Sequence, residues 1–218
     1  GDNEDKVGIS SGVVGDIQEG VAVSARLLAF INKSKGGSDS DEEEITLGLA
    51  YRPNRSNWIL LERLDVSLYN ESGNGTDNDS VRIVNHLHAN FRSDNRKWQT
   101  SYYYGLKYVR ENFGGDRYSG YTDMVSIEAR YNINKKWDIG VHGALLHSWN
   151  SNQFDYSLGS DIGYSPMTNA WLSVGYNLFG FEDEDFSDAN YTAEGAYVRF
   201  RAKFDQQSVR EAAEWLNR

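Results

Sequence analysis

The chain reads as all-β: a transmembrane up-and-down antiparallel β-barrel of about ten strands. Three observations carry that expectation. Long stretches alternate apolar and polar residues between clusters of turn residues. Trp58, Trp98, Trp137 and Trp171 each follow a short polar turn and open such a stretch. They recur about every 35 to 40 residues, the length of a long hairpin. The polar face carries charges of both signs, the reverse of a soluble barrel with an apolar interior. An indole favours the headgroup zone of a bilayer, where its ring is buried and its N–H stays wet. The four Trp therefore read as a membrane-interface girdle.

Composition agrees. Mean hydropathy is −0.65 and no apolar run reaches the length of a spanning helix, which excludes a helical membrane protein. A barrel stays allowed, because only alternate residues of each strand meet lipid. There are 21 Gly and 14 Tyr, suited to tight turns and aromatic girdles. The chain has no Cys, so disulfides, thiol chemistry and Cys-based metal sites are out. A net charge of −10 argues against nucleic acid as a partner. The opening residues are polar and acidic, without a signal-peptide pattern, as in a mature form or a piece of something longer.

In order, residues 1–18 read as a lead-in and strands are expected near 20–31, 44–51, 58–69, 81–92, 98–110, 124–133, 137–149, 156–164, 171–181 and 193–204. Long and short connections are expected to alternate. The long ones are acidic, around 39–44, 77–79 and 182–185, and the short ones basic. The even strand count places both ends on the short-turn side. The faces separate by parity: Val125, Ile127, Ala129 and Tyr131 alternate with Ser126, Glu128 and Arg130. After Phe204 the pattern turns helical over 205–218, with Ser208 and Glu211 as a capping box and Val209, Ala212, Ala213 and Leu216 as the apolar stripe.

The enclosed face is expected to hold an ion network of Arg63, Asp65, Arg82, Glu128, Arg130, Asp161, Arg199 and Arg201. A buried unpaired charge costs several kcal/mol, so these long side chains would pair and plug a narrow lumen. Glu62 and Asn85 break the pattern on the apolar face. With Trp215 on the terminal helix they form a candidate partner face. His86 and His88 share one face two residues apart, but nothing fixes a third metal ligand. His147 with Ser148, oriented by Asp155, is the one candidate hydrolytic pair. The acidic stretches offer carboxylates for Ca²⁺ without EF-hand spacing, so ordinary solvation is the better reading and no cofactor is expected.

The segment Gly175-Tyr-Asn-Leu-Phe-Gly-Phe181, then Phe186-Ser-Asp188, Tyr191 and Gly195, ending in Tyr197-Val-Arg-Phe-Arg-Ala-Lys-Phe204, resembles the terminal hairpin of Gram-negative outer-membrane barrels. More narrowly, it is similar to barrel modules at the C-terminus of large proteobacterial surface or secreted repeat proteins. The stretches Gly48-Leu-Ala-Tyr-Arg-Pro53 and Ala129-Arg-Tyr-Asn-Ile-Asn134 fit the same modules. The resemblance implies that Val198, Phe200 and Phe204 form the signal read by the barrel-assembly machinery, although here the chain continues past Phe204. It implies anchoring rather than catalysis.

The expectation is thus a lead-in over 1–18, an outer-membrane barrel over 19–204 and a periplasmic amphipathic helix over 205–218, with both termini periplasmic. The role expected is a non-catalytic membrane anchor or scaffold of a larger envelope assembly. Its partners would be the bilayer, lipopolysaccharide, the assembly machinery and another envelope protein. The alternatives are a small outer-membrane enzyme, such as a rim protease or lipid A hydrolase, and a narrow channel.

Overall fold

A computed structural model describes residues 4–35, 37–73, 76–167, 170–181, 186 and 193–202. Within them every regular element is a strand. The eleven are β1 (Glu4–Gln18), β2 (Val21–Ser34), β3 (Asp39–Tyr51), β4 (Trp58–Gly73), β5 (Thr76–Arg92), β6 (Trp98–Phe113), β7 (Asp116–Asn132), β8 (Trp137–Ser148), β9 (Gln153–Met167), β10 (Ala170–Phe179) and β11 (Gly195–Ala202). They form an antiparallel up-and-down sheet in sequence order, with β1 and β11 at the two ends of that order.

Three expectations need correction. The segment read as a lead-in is β1, which pairs along its length with β2, from Glu4↔Ser34 to Gln18↔Val21. Val7, Ile9, Val13 and Ile17 give it the same period of two as the other strands. With eleven strands among the described residues, the even-count argument for the ends falls. β1 begins beside the end of β2, away from the Gly20 turn, whereas Ala202 of β11 pairs with Ala170 at the start of β10. Thirdly, most of the expected long loops are strand. Asp39–Glu44 lies within β3, where it pairs with β2 and β4, and Asp77 and Asp79 lie in β5. Pairing needs only a partner backbone, so hydrogen bonding continues where the apolar pattern has stopped.

The turns explain why three of the strands start at a Trp. The Trp58 N–H donates to Ser56 Oγ (3.0 Å) and the Trp98 N–H to Ser93 Oγ (3.0 Å). The Trp137 N–H donates to Asn134 Oδ1 (3.0 Å). In each case a short side chain in the turn holds the first strand residue. Arg96, at φ 57°, takes the left-handed position of its turn.

Two compact units emerge. The first comprises the described parts of Gly1–Asn90, Tyr103–Val125 and Leu146–Phe154. The second comprises those of Phe91–Tyr102, Ser126–Leu145 and Asp155–Arg218. In both, burial is inverted relative to a soluble protein. On β8, Trp137, Ile139, Val141 and Leu145 are exposed, Val141 at 57%, while Asp138 between them is buried. On β10, Leu172, Val174, Tyr176 and Leu178 are exposed and Ser173 and Asn177 are buried. On β4 and β5, Trp58, Leu60 and Leu87 are exposed and His86 is buried.

Candidate functional site

The second unit builds a buried ion cluster around Arg130 of β7. Arg130 Nη1 and Nη2 reach the two oxygens of Asp161 on β9, at 2.8 and 2.9 Å, the fork geometry that suits a carboxylate best. Nη2 also donates to Glu128 Oε1 (2.9 Å), and Nη1 to Asp138 Oδ1 on β8. Arg199 Nη1 of β11 lies 4.0 Å from Glu128 Oε2. The Tyr197 hydroxyl donates to Asp161 (3.2 Å), which is only 4% exposed. Trp171 donates from Nε1 to Asp138 Oδ2 (2.8 Å), and the guanidinium carbons of Arg130 and Arg201 lie 4.7 and 5.2 Å from its ring centre. The three carboxylates Glu128, Asp138 and Asp161 are matched by the three guanidiniums of Arg130, Arg199 and Arg201.

Glycines supply the room. A Cβ at Gly140 would stand 2.7 Å from Arg130 Nη2, and one at Gly163 would strike Asp138 and the Trp171 indole nitrogen. A Cβ at Gly159 would meet Asn177 and His142, whose Oδ1 and Nε2 are 2.8 Å apart. One at Gly175 would meet the Tyr197 ring. The long side chains of one strand thus lie in the recesses of the next.

The first unit's polar face is arranged differently. Asp65 of β4 accepts from Thr46 Oγ1 (2.9 Å) and Arg63 Nε (2.8 Å), with His86 Nε2 at 3.7 Å. Tyr103 OH lies 2.8 Å from His86 Nδ1. Arg63 keeps 47% of its side chain exposed, and Arg26 and Arg82 are also exposed.

The expected ion network therefore appears as two local groups, with Glu128, Arg130, Asp161, Arg199 and Arg201 in one and Arg63 and Asp65 in the other. Arg82 is on the polar face of β5. Trp58, Trp98 and Trp137 are exposed among the apolar residues of their strands, and Tyr131 and Tyr164 lie against Trp98 and Trp137 at centroid distances of 4.8 and 4.7 Å. Trp171 is a correction. It shares parity with Ser173 and Asn177 and faces the ion cluster, so it is no part of a girdle. Parity would have shown it: Leu172, Val174, Tyr176 and Leu178 already make the apolar set of that strand. Sequence reasoning also missed Tyr197, which donates to buried Asp161, and Asn177, itself fully buried against His142 and the Ala193 carbonyl.

His147 and Ser148 are neighbours in a strand, so they point to opposite faces and assemble no nucleophile–base pair. His147 instead stacks on Phe154 (4.2 Å), with Nδ1 3.6 Å from Asp123. The Trp149 Nε1–H donates to that same carboxylate (2.8 Å). No group of three metal-ligating side chains forms among the described residues. Val198 and Phe200 are exposed on β11. Phe204, Trp215, the 182–185 acidic stretch and the 205–218 helix lie outside the described residues.

No family model and no curated protein matches the chain. Among solved structures, a NanC porin in a rhombohedral crystal form is similar over 90% of this chain and 99% of its own, at 11% identity and a TM-score of 0.43. A KdgM porin, in complex with disordered oligogalacturonate, is similar over 94% and 98%, at 16% identity and a TM-score of 0.34. The narrower resemblance to C-terminal modules of repeat proteins is not shown.

Proposed function

We propose that the chain closes into a β-barrel in the bacterial outer membrane and that its polar face lines a narrow aqueous path for small hydrophilic solutes. The observation that carries this is the inverted burial. Aliphatic and aromatic side chains are exposed along the strands while Arg130, Asp138, Asp161, His86 and Asn177 are buried. Water would penalise the first face, and hydrocarbon rewards it. Open sheet edges do not survive in hydrocarbon, which is the reason to expect closure. Trp58, Trp98 and Trp137 would sit in the headgroup zone, and lipopolysaccharide and the bilayer would be the first partners. The assembly machinery would read Val198 and Phe200.

A conducting path is favoured over an anchor because Arg26, Arg63 and Arg82 remain exposed on the polar face. No observation among the described residues favours a scaffold role, and His147 and Ser148, on opposite faces of β8, form no nucleophile–base pair. Reconstitution into a planar bilayer tests the reading. Steady single-channel current is expected, and Arg63→Glu should shift its selectivity toward cations. Folded, lipid-inserted protein that passes no current would sink the channel. Protein that stays monodisperse without detergent would sink the barrel itself.

A further inference from the structure

The start of β5 is tied to the end of β6 and the turn that follows it. Asp79 Oδ1 accepts from Asn112 Nδ2 (3.0 Å), and Asn78 Oδ1 accepts from the Gly114 N–H (3.2 Å). Arg110 Nη2 lies 3.9 Å from Asp79 Oδ2. Asp79, Arg110, Glu111, Asn112 and Arg117 line a cavity of about 170 Å³. Asp79 shares parity with Ile83 and Leu87, and Arg110 and Asn112 share it with Tyr102 and Tyr104, so these three continue the apolar face. Asn78 also donates from Nδ2 to Glu71 Oε2 (3.3 Å), and Glu71 stands thirteen residues beyond Trp58 on β4. At about 3.3 Å per residue and a tilt near 40°, that is about 33 Å past the Trp58 level, beyond an apolar band about 25 Å tall. In the barrel the cavity therefore opens at the headgroup level opposite Trp58.

Among the described residues no apolar side chain lines the cavity, which excludes an acyl chain. Its charges cancel, so a polyanion would meet Asp79 and Glu111, and a simple cation would meet Arg110 and Arg117. Asn112 Oδ1 is buried and accepts no hydrogen bond. Arg117 and Glu111 have no ion-pair partner among the described residues. One small space thus offers a guanidinium to an anion and two oxygens to a donor. A cavity of about 150 Å³ takes a benzene-sized molecule, so a compact zwitterion fits. We infer that the cavity binds the phosphoethanolamine head group of a membrane lipid, with the phosphate on Arg110 and Arg117 and the ammonium on Glu111 and Asn112 Oδ1. Choline cannot replace ethanolamine there, because a quaternary ammonium has no N–H for Asn112 Oδ1. The inference rests on the barrel reading above and names a lipid that the barrel would hold.

The test uses the full chain in mild detergent, with heat-modifiable gel mobility as the check of folding. Native mass spectrometry follows one added lipid at a time. One phosphatidylethanolamine is expected to stay bound, about tenfold tighter than phosphatidylcholine or phosphatidylglycerol with the same acyl chains. Arg117→Ala and Asn112→Leu should each weaken it about tenfold, while Arg55→Ala in the Trp58 turn leaves it unchanged. Equal retention of phosphatidylcholine overturns the ethanolamine. Preference for phosphatidylglycerol or lipopolysaccharide overturns the zwitterion in favour of an anion. Free phosphorylethanolamine that displaces the lipid at equal concentration overturns the lipid as the source. Folded protein that retains no phosphatidylethanolamine overturns the inference and leaves the barrel standing. Protein that needs no detergent overturns the barrel reading instead.

Discussion

Arg130 and Arg63 both stand on a polar sheet face two residues from a carboxylate, yet their surroundings diverge. Arg130 is 8% exposed and meets Asp161, Glu128 and Asp138 together. Arg63 meets Asp65 at 2.8 Å with 47% of its side chain in the open. What separates them is what faces them. Gly140, Gly159, Gly163 and Gly175 hollow out the second unit's polar face, so long side chains settle into neighbouring strands and lose water. In the first unit His86 is buried as well, but Arg63 keeps 47% of its side chain exposed beside Asp65. A buried ion group must be complete to be tolerated, whereas an exposed one contributes little to stability.

The sharpest way to break this contrast is Arg130→Leu. It leaves three carboxylates facing two guanidiniums, and a loss of about 3–5 kcal/mol is expected in the urea stability of the lipid-inserted protein, followed by Trp fluorescence. Trp171→Phe removes the donor to Asp138 and should cost about 1.5–3 kcal/mol in the same measurement. Were Trp171 an interfacial residue, Phe would be nearly neutral. Gly163→Val fills the recess that holds Asp138 and the Trp171 indole, for about 1–3 kcal/mol. Arg63→Leu should be smallest, about 0–1 kcal/mol, while changing conductance most. A large stability loss at Arg63 with unchanged conductance would erase the distinction between the faces.

Much of this architecture was legible in the chain. Parity alone separates Glu128 and Arg130 from Val125, Ile127 and Tyr131, and it singles out Glu62 and Asn85, whose side chains are hydrogen-bonded at 3.2 Å. What sequence could not give was depth of burial. Arg63 and Arg130 look alike in a strand pattern, because exposure depends on the glycines of other strands. β1 escaped because glycine, serine and acidic residues dilute its alternation, yet its hydrogen bonds come from β2 regardless. The acidic runs look like loops for a related reason: carboxylates mark where lipid contact would end, and the ladder goes further. Trp171 follows a turn as the other three Trp do, but its phase with Ser173 and Asn177 points the other way.

The glycine recesses have an evolutionary consequence. Where one strand gives up a side chain so that its neighbour's can lie flat, the relief of the polar face is set by pairs of positions and never by one. Enlarging a host glycine lifts the guest off that face, while trimming the guest leaves a trough for solvent. Substitutions should therefore be coupled across Gly175 and Tyr197 as tightly as across any hydrogen-bonded pair.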